Sequence, residues 1–277
     1  MEVRRFIIPY HWGEILRGYP VGCEHFGTKH TAEGIARRKY KQIAGEPLSF
    51  WWNMGDKGDF ITPSDPRWRH GTIADWVKED NIATNQEDFY CDVVKEAVRA
   101  EIADYGIGKC VGLLWGNHED KIRKHNHVNV QENICTKLGV ENLGFSCMLH
   151  IIFRRVNSTE AHMFKGYITH GSGNAQTRGG KLMKLRKIMN QVRDVDFVAV
   201  GHMHDIIIET AETLQTNKEM VIGNKEVVGA ITGCFLRTYT QGVEAGYGEL
   251  RNYDPVPLGC PVFIFDPTHG KVTVSRD

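Results

Sequence analysis

The sequence carries no excess of charge: 34 Lys and Arg stand against 34 Asp and Glu over 277 residues. A chain-wide field that attracts nucleic acid or a membrane surface is thereby excluded, and any polyanion must be held by a local patch. Cys-x-x-Cys pairs are also missing. The seven cysteines, Cys23, Cys91, Cys110, Cys135, Cys147, Cys234 and Cys260, are odd in number and widely spaced. That usage suits a reducing cytoplasm better than a secreted disulfide framework. No stretch reaches the roughly 18 consecutive apolar residues of a membrane span. The run Phe6-Ile7-Ile8 is too short for the core of a signal peptide. The expected location is therefore cytoplasmic, with no membrane partner. Internal repeats and low-complexity runs are absent as well, and 41% apolar with 25% charged residues is the composition of a chain that buries a substantial core. One large α/β domain over residues 1–277 is expected.

What the sequence does contain is an alternation of strand and helix signals. Residues 3–10 and 15–22 read as two short strands joined by a turn near His11-Trp12-Gly13. Glu33 to Ile43 reads as a helix, since Ile35, Ala36, Tyr40 and Ile43 share a face. A strand ending at Asp56 follows, completing a βαβ unit that favours parallel pairing. Residues 60–90 break the alternation and are expected to cap the edge of a site, as is 238–258. Helical spacing returns from Phe89 to Ala103 and over Lys121 to Leu138. Cys147 to Val156 and Ala161 to Thr169 read as an antiparallel pair about Asn157-Ser158. A glycine-rich loop from Gly171 to Gly180 leads into a basic helix, Lys181 to Val192. Strands are expected at Ile206–Ile208, Glu226–Ile231 and Pro261–Phe265.

Four of the strands end in residue types that can bind metals. Phe197-Val198-Ala199-Val200 runs into Gly201-His202-Met203-His204. The strand from Ser49 ends at Gly55-Asp56, the strand from Val111 at Gly116-Asn117-His118-Glu119, and Tyr167-Ile168-Thr169 at His170-Gly171. Any one of these is compatible with a solvated turn. Together they place carboxylate, amide and imidazole at the carboxyl edge of a sheet, where α/β folds gather their ligands.

The order Gly-Asp, Gly-Asn-His-Glu, His-Gly, Gly-His-x-His resembles the calcineurin-like metallophosphoesterases. The resemblance implies a sandwich of two packed β-sheets flanked by helices and a centre of two divalent transition-metal ions, zinc, iron or manganese. It implies that Asp56 bridges the ions, with residues 23 and 25 and His204 completing one site and Asn117, His170 and His202 the other. His118 is implied as a catalytic, non-ligating histidine. The activity implied is hydrolysis of a phosphate ester, a phosphodiester by preference, using a metal-bound hydroxide. Nucleotides and nucleic acids are candidate substrates. A phosphomonoesterase, a nuclease with the same site, and a metal-binding protein that has lost catalysis are the alternatives.

The opening motif departs from the family's Asp-x-His-x-Gly, reading Cys23-Glu24-His25-Phe26-Gly27. A thiolate at Cys23 can replace the aspartate as an anionic ligand; as a plain apolar residue it would leave the first site weak. His11, in Pro9-Tyr10-His11-Trp12-Gly13, offers a second match to x-x-His-x-Gly, but proline in its first position cannot ligate. Arg178, in the glycine-rich loop, is a candidate for a substrate phosphate oxygen. Tyr239, Tyr247 and Tyr253, with Gly233-Cys234-Phe235, are candidates for an aromatic wall.

Overall fold

The computed structural model describes residues 1–277 apart from Asn174 and 217–219. Its strands are β1 Glu2–Tyr10, β2 Leu16–Val21, β3 Ser49–Asn53, β4 Cys110–Leu114, β5 Asn142–Gly144 and β6 Ser146–Arg155. They continue with β7 Ala161–Thr169, β8 Phe197–Val200, β9 Ile206–Thr216, β10 Ile222–Thr232, β11 Pro261–Asp266 and β12 Lys271–Arg276. The helices are α1 Glu33–Gly45, α2 Ile82–Arg99, α3 Asn117–Asn126, α4 Val130–Leu138, α5 Arg178–Gln191 and the short α6 Tyr247–Leu250.

Two six-stranded sheets form, in the orders β1-β6-β7-β8-β10-β9 and β12-β11-β2-β3-β4-β5. This is the two-sheet α/β sandwich that the resemblance implied. Adjacent tryptophans show how it is built. In β3, alternate side chains face opposite sides. Trp52 therefore packs between the sheets with Phe50, Phe197 and Phe263, while Trp51 packs outward with Tyr40 of α1 and Tyr90, Val94 and Ala97 of α2. On the other outer face, Leu185 and Met189 of α5 cover Val198, Val200 and Ile231.

The β2-α1-β3 unit pairs in parallel as expected, and β6 and β7 form the antiparallel pair. Other elements differ from the sequence reading. The strands on either side of His11-Trp12-Gly13 belong to different sheets, so that turn carries the chain from one layer to the other. Helix α2 starts at Ile82 rather than Phe89. Its early turns bury Gln86 and Glu87, which breaks the apolar period, and Gln86 accepts the Phe60 N–H at 2.8 Å. Lys121 to Leu138 is two helices, parted where His127 turns left-handed with φ 58°. Strand β12 was missed, because Lys271-Val272-Thr273-Val274-Ser275-Arg276 is a mostly polar edge strand. Among the described residues, no helix is long and apolar enough to cross a membrane.

Candidate metal centre and active site

The ends of β2, β3 and β4, parallel neighbours in one sheet, meet the ends of β7 and β8, parallel neighbours in the other. Every side chain of the expected ligand set is carried just beyond one of these ends. His11 lies elsewhere. β1 runs antiparallel to β7 through β6, so its carboxyl end points away from His170, and His11 itself is exposed.

The loops are held in unusual backbone conformations. Cys23, His25, Asp56, His202 and His204 have φ of 52°, 52°, 55°, 66° and 45°, a region that costs L-residues energy and that clusters at functional sites. The loop at 23–25 is therefore not extended. It turns left-handed at alternate residues, and both Cys23 and His25 still face the centre. Main-chain bonds fix it: Cys23 N–H donates to Gly55 O at 2.9 Å and His25 N–H to Asp56 O at 3.0 Å. Two glycines allow the close packing. A Cβ on Gly116 would stand 2.2 Å from Asp56 Oδ1, and one on Gly55 would stand 2.6 Å from His170 Nδ1.

Among the described residues, three groups of ligand atoms converge, one of them His25, Asp59 and His118 and the other two built on Asp56. Cys23, His25, Asp56 and His204 bring theirs within 4.8 Å of one another, and so do Asp56, His170 and His202. Asp56 belongs to both. Its Oδ2 lies 3.2 Å from His170 Nε2 and 3.8 Å from His25 Nε2, while Oδ1 accepts the His118 N–H at 3.0 Å. One carboxylate oxygen thus stands between the groups and the other is tied to the scaffold.

Hydrogen bonding tests whether these residues fit cations. His170 Nδ1 lies 2.7 Å from Met54 O, and a carbonyl only accepts, so Nδ1 carries the proton. The lone pair of the neutral ring is then on Nε2, which faces Asn117 Oδ1 at 3.0 Å and Asp56 Oδ2 at 3.2 Å. In this tautomer Nε2, Asn117 Oδ1 and Asp56 Oδ2 present three acceptors to one another, an arrangement that a cation among them satisfies. Burial opposes a positive charge on the ring, but Asp56, the Met54 carbonyl and Glu119 together outweigh it and push the His170 pKa up. Across the centre, His25 Nε2 and His204 Nε2 lie 3.0 Å apart. Burial and neighbouring imidazoles push His204 well below the usual histidine range and His202 down to about 4. Both rings are therefore neutral, the ligating form. Burial and the Asp56 charge push the Cys23 thiol up, a trend that a bound divalent cation inverts. The donor set fits two cations that share Asp56.

His118 stands apart from both groups that contain Asp56. Its Nδ1 donates to Asp59 O, which turns Nε2 toward the guanidinium of Arg67, 3.2 Å away. Arg67 was missed in the sequence because it lies in the aperiodic 60–90 segment; a salt bridge at 3.0 Å from Asp65 fixes its other arm. Both face a cavity of about 490 Å³, lined also by His25, Asp56, Asn117, His202 and His204. Ile61, Arg67, Arg69 and Thr72 contribute to its wall, as do Thr238, Tyr247, Tyr253 and Val256, so residues of both 60–90 and 238–258 border it.

Arg178 does not line this cavity. Its guanidinium binds Asp205 Oδ1 at 2.8 Å and Ile206 O at 3.0 Å, and Lys181 is the residue of α5 that reaches the wall. Part of the Gly171 to Gly180 loop, at Asn174, lies outside the described residues. Of the aromatic candidates, Tyr247 and Tyr253 border the cavity with ring centres 5.9 Å apart. Phe235 and Cys234 are core residues, and Tyr239 lies outside the lining.

Beneath the centre is a buried ion pair whose role the sequence did not disclose. Lys57 Nζ lies 3.3 Å from Glu119 Oε1, both side chains being fully buried. Glu119 accepts the N–H groups of Gly116 at 2.9 Å, Asp56 at 3.1 Å and Lys57 at 2.8 Å. A single carboxylate therefore clamps the Asp56 turn to the Asn117 turn.

No family profile matches the sequence, and no curated protein matches it. Among solved structures, the chain is similar to the NAD nucleotidase (NadN) of Haemophilus influenzae at 10% identity and a TM-score of 0.41. That match covers 96% of this chain and 50% of the nucleotidase, so the chain spans about half the length of that protein.

Proposed function

We propose that the protein is a metal-dependent phosphoesterase with a dinuclear centre, acting by preference on phosphodiesters. The observation that carries this reading is the single oxygen, Asp56 Oδ2, set between two convergent donor groups beside a cavity that His118 and Arg67 both face. Cys23, His25, Asp56 and His204 would hold one cation, and Asp56, Asn117, His170 and His202 the other. When bound, two divalent cations neutralise phosphoryl oxygens and acidify the attacking water.

The chain's own groups do the rest. Arg67 Nη1 lies 3.2 Å from His118 Nε2, so one phosphoryl oxygen can accept from Arg67 and, when the ring carries its second proton, from His118 as well. Asp59 O holds the His118 ring in that orientation. Burial lowers the His118 pKa despite the charge of Asp56, and the second proton of the ring, on Nε2, is the one His118 would give to a leaving oxygen. The cavity continues beyond this point to Tyr247 and Tyr253, which leaves room for a second ester substituent and favours a diester.

Turnover of a bis-aryl phosphodiester should vanish on chelation and return with zinc or manganese. Undiminished turnover by the chelated protein would sink the reading. An aryl monoester and single-stranded DNA run in parallel test the alternative substrates; faster hydrolysis of either would replace the diester. His118→Ala should keep both metals and lose at least about tenfold in rate, within the usual contribution of a general acid. Asn117→Ala should instead lose metal from the second site. Equal metal loss in the two variants would make His118 a ligand, and full activity in His118→Ala would remove it from the mechanism.

A further inference from the structure

We infer that the two cation positions are chemically unlike, the first being a thiolate site that selects zinc over manganese. The inference rests on the dinuclear reading above and concerns the residue by which this chain departs from the motif it resembles.

The geometry commits Cys23 to the centre. Its Sγ belongs to the four-residue group with His25, Asp56 and His204, and the side chain is fully buried. The His202 N–H donates to Sγ at 3.3 Å, the kind of contact that stabilises sulfur carrying negative charge. The backbone of Cys23 is clamped on both sides: its N–H donates to Gly55 O at 2.9 Å and its carbonyl accepts the Phe235 N–H at 3.0 Å. The His202 N–H and the complete burial of the side chain hold the sulfur at the centre. None of the other cysteines joins a metal-capable group among the described residues.

The chemistry follows from charge and softness. Thiolate and carboxylate both carry one negative charge, so exchanging them leaves the charge of the site unchanged and alters only its softness. Cation binding releases the Sγ proton to solvent and forms a metal–sulfur bond. Sulfur with two imidazoles suits zinc, whereas manganese prefers oxygen. The second position offers the amide oxygen of Asn117, the Asp56 carboxylate and the imidazoles of His170 and His202, and has no sulfur. It is the harder site and accepts manganese.

Cobalt(II) reports the difference directly, because a cobalt–thiolate bond absorbs in the near ultraviolet through charge transfer from sulfur. Metal-free protein titrated with cobalt should bind two equivalents and develop this band with only one of them. Zinc should abolish the band at stoichiometric amounts and manganese should not. Cys23→Asp and Cys23→Ser should lose the band, and Cys23→Asp should still bind two cobalt ions. The preference of its first site for zinc over manganese should fall at least about tenfold. Two bound cobalt ions without the band, or an unchanged preference in Cys23→Asp, would overturn the thiolate site and leave the phosphoesterase reading standing. Failure to bind cobalt at all would overturn both.

Discussion

Asp56→Asn should lose both cations together and lower turnover by about a thousandfold or more, the scale seen when a site loses a main source of charge stabilisation. The change keeps the shape of the side chain and removes its charge. Asp56 is 1% exposed, so its charge acts where little water screens it. Burial alone would raise the pKa of this carboxyl, yet the imidazoles of His170, His118 and His25 hold it well below the usual range. Its Oδ2 is the atom common to both donor groups, and its Oδ1 secures the His118 amide at 3.0 Å. Because each position depends on the same oxygen, metal should leave both at once rather than one. Elemental analysis of the purified variant checks this, with circular dichroism to verify folding. A folded Asp56→Asn protein retaining both metals would remove Asp56 from the bridging role.

Lys57→Met should cost about 3–5 kcal/mol of folding stability, the range for breaking a buried ion pair by deleting one partner. The Lys57 ammonium has no exposure and binds Leu114 O at 2.8 Å, Gln131 Oε1 at 2.6 Å and Glu119 at 3.3 Å. Deleting it leaves Glu119 buried beside Asp56. Burial pushes the Glu119 pKa up, and the charge of Lys57 is the largest influence that brings it below the usual range. Glu119 would then gain a proton and weaken its bonds to the amides of Gly116, Asp56 and Lys57. The double variant Lys57→Met, Glu119→Gln should recover part of the loss, since no unpaired charge remains. Urea unfolding of the two variants measures this. A change below about 0.5 kcal/mol in Lys57→Met, the size typical of surface substitutions, would contradict the clamp.

The residues brought together at the centre were legible because a strand end followed by glycine and a polar ligand type is a local pattern. Asp56, Asn117, His170, His202 and His204 each sit within a few residues of an apolar run that reads as a buried strand. The sheet to which each strand belongs is not local information. β1 and β2 are separated by a short turn yet lie in different layers, and only pairing with β6 and β3 decides that. Arg67 escaped for a related reason. Its segment has no period, and its place beside His118 arises from a salt bridge to Asp65 and from the return of the chain across the cavity. Arg178 shows the converse: a basic residue next to a ligand in sequence can be turned away by a stronger local partner, here Asp205. Helix α2 was read short because buried Gln86 and Glu87 find partners in Phe60, Asn133 and Lys137, and polar residues with tertiary partners hide a helical face.

Anomalous diffraction from crystals of the metal-loaded protein tests the central claim most directly. The account predicts two peaks about 3.5–4 Å apart, the spacing of a dinuclear hydrolytic centre, one on each side of Asp56 Oδ2, with Cys23, His25 and His204 around one and Asn117, His170 and His202 around the other. A single peak, or peaks away from Asp56, would contradict it.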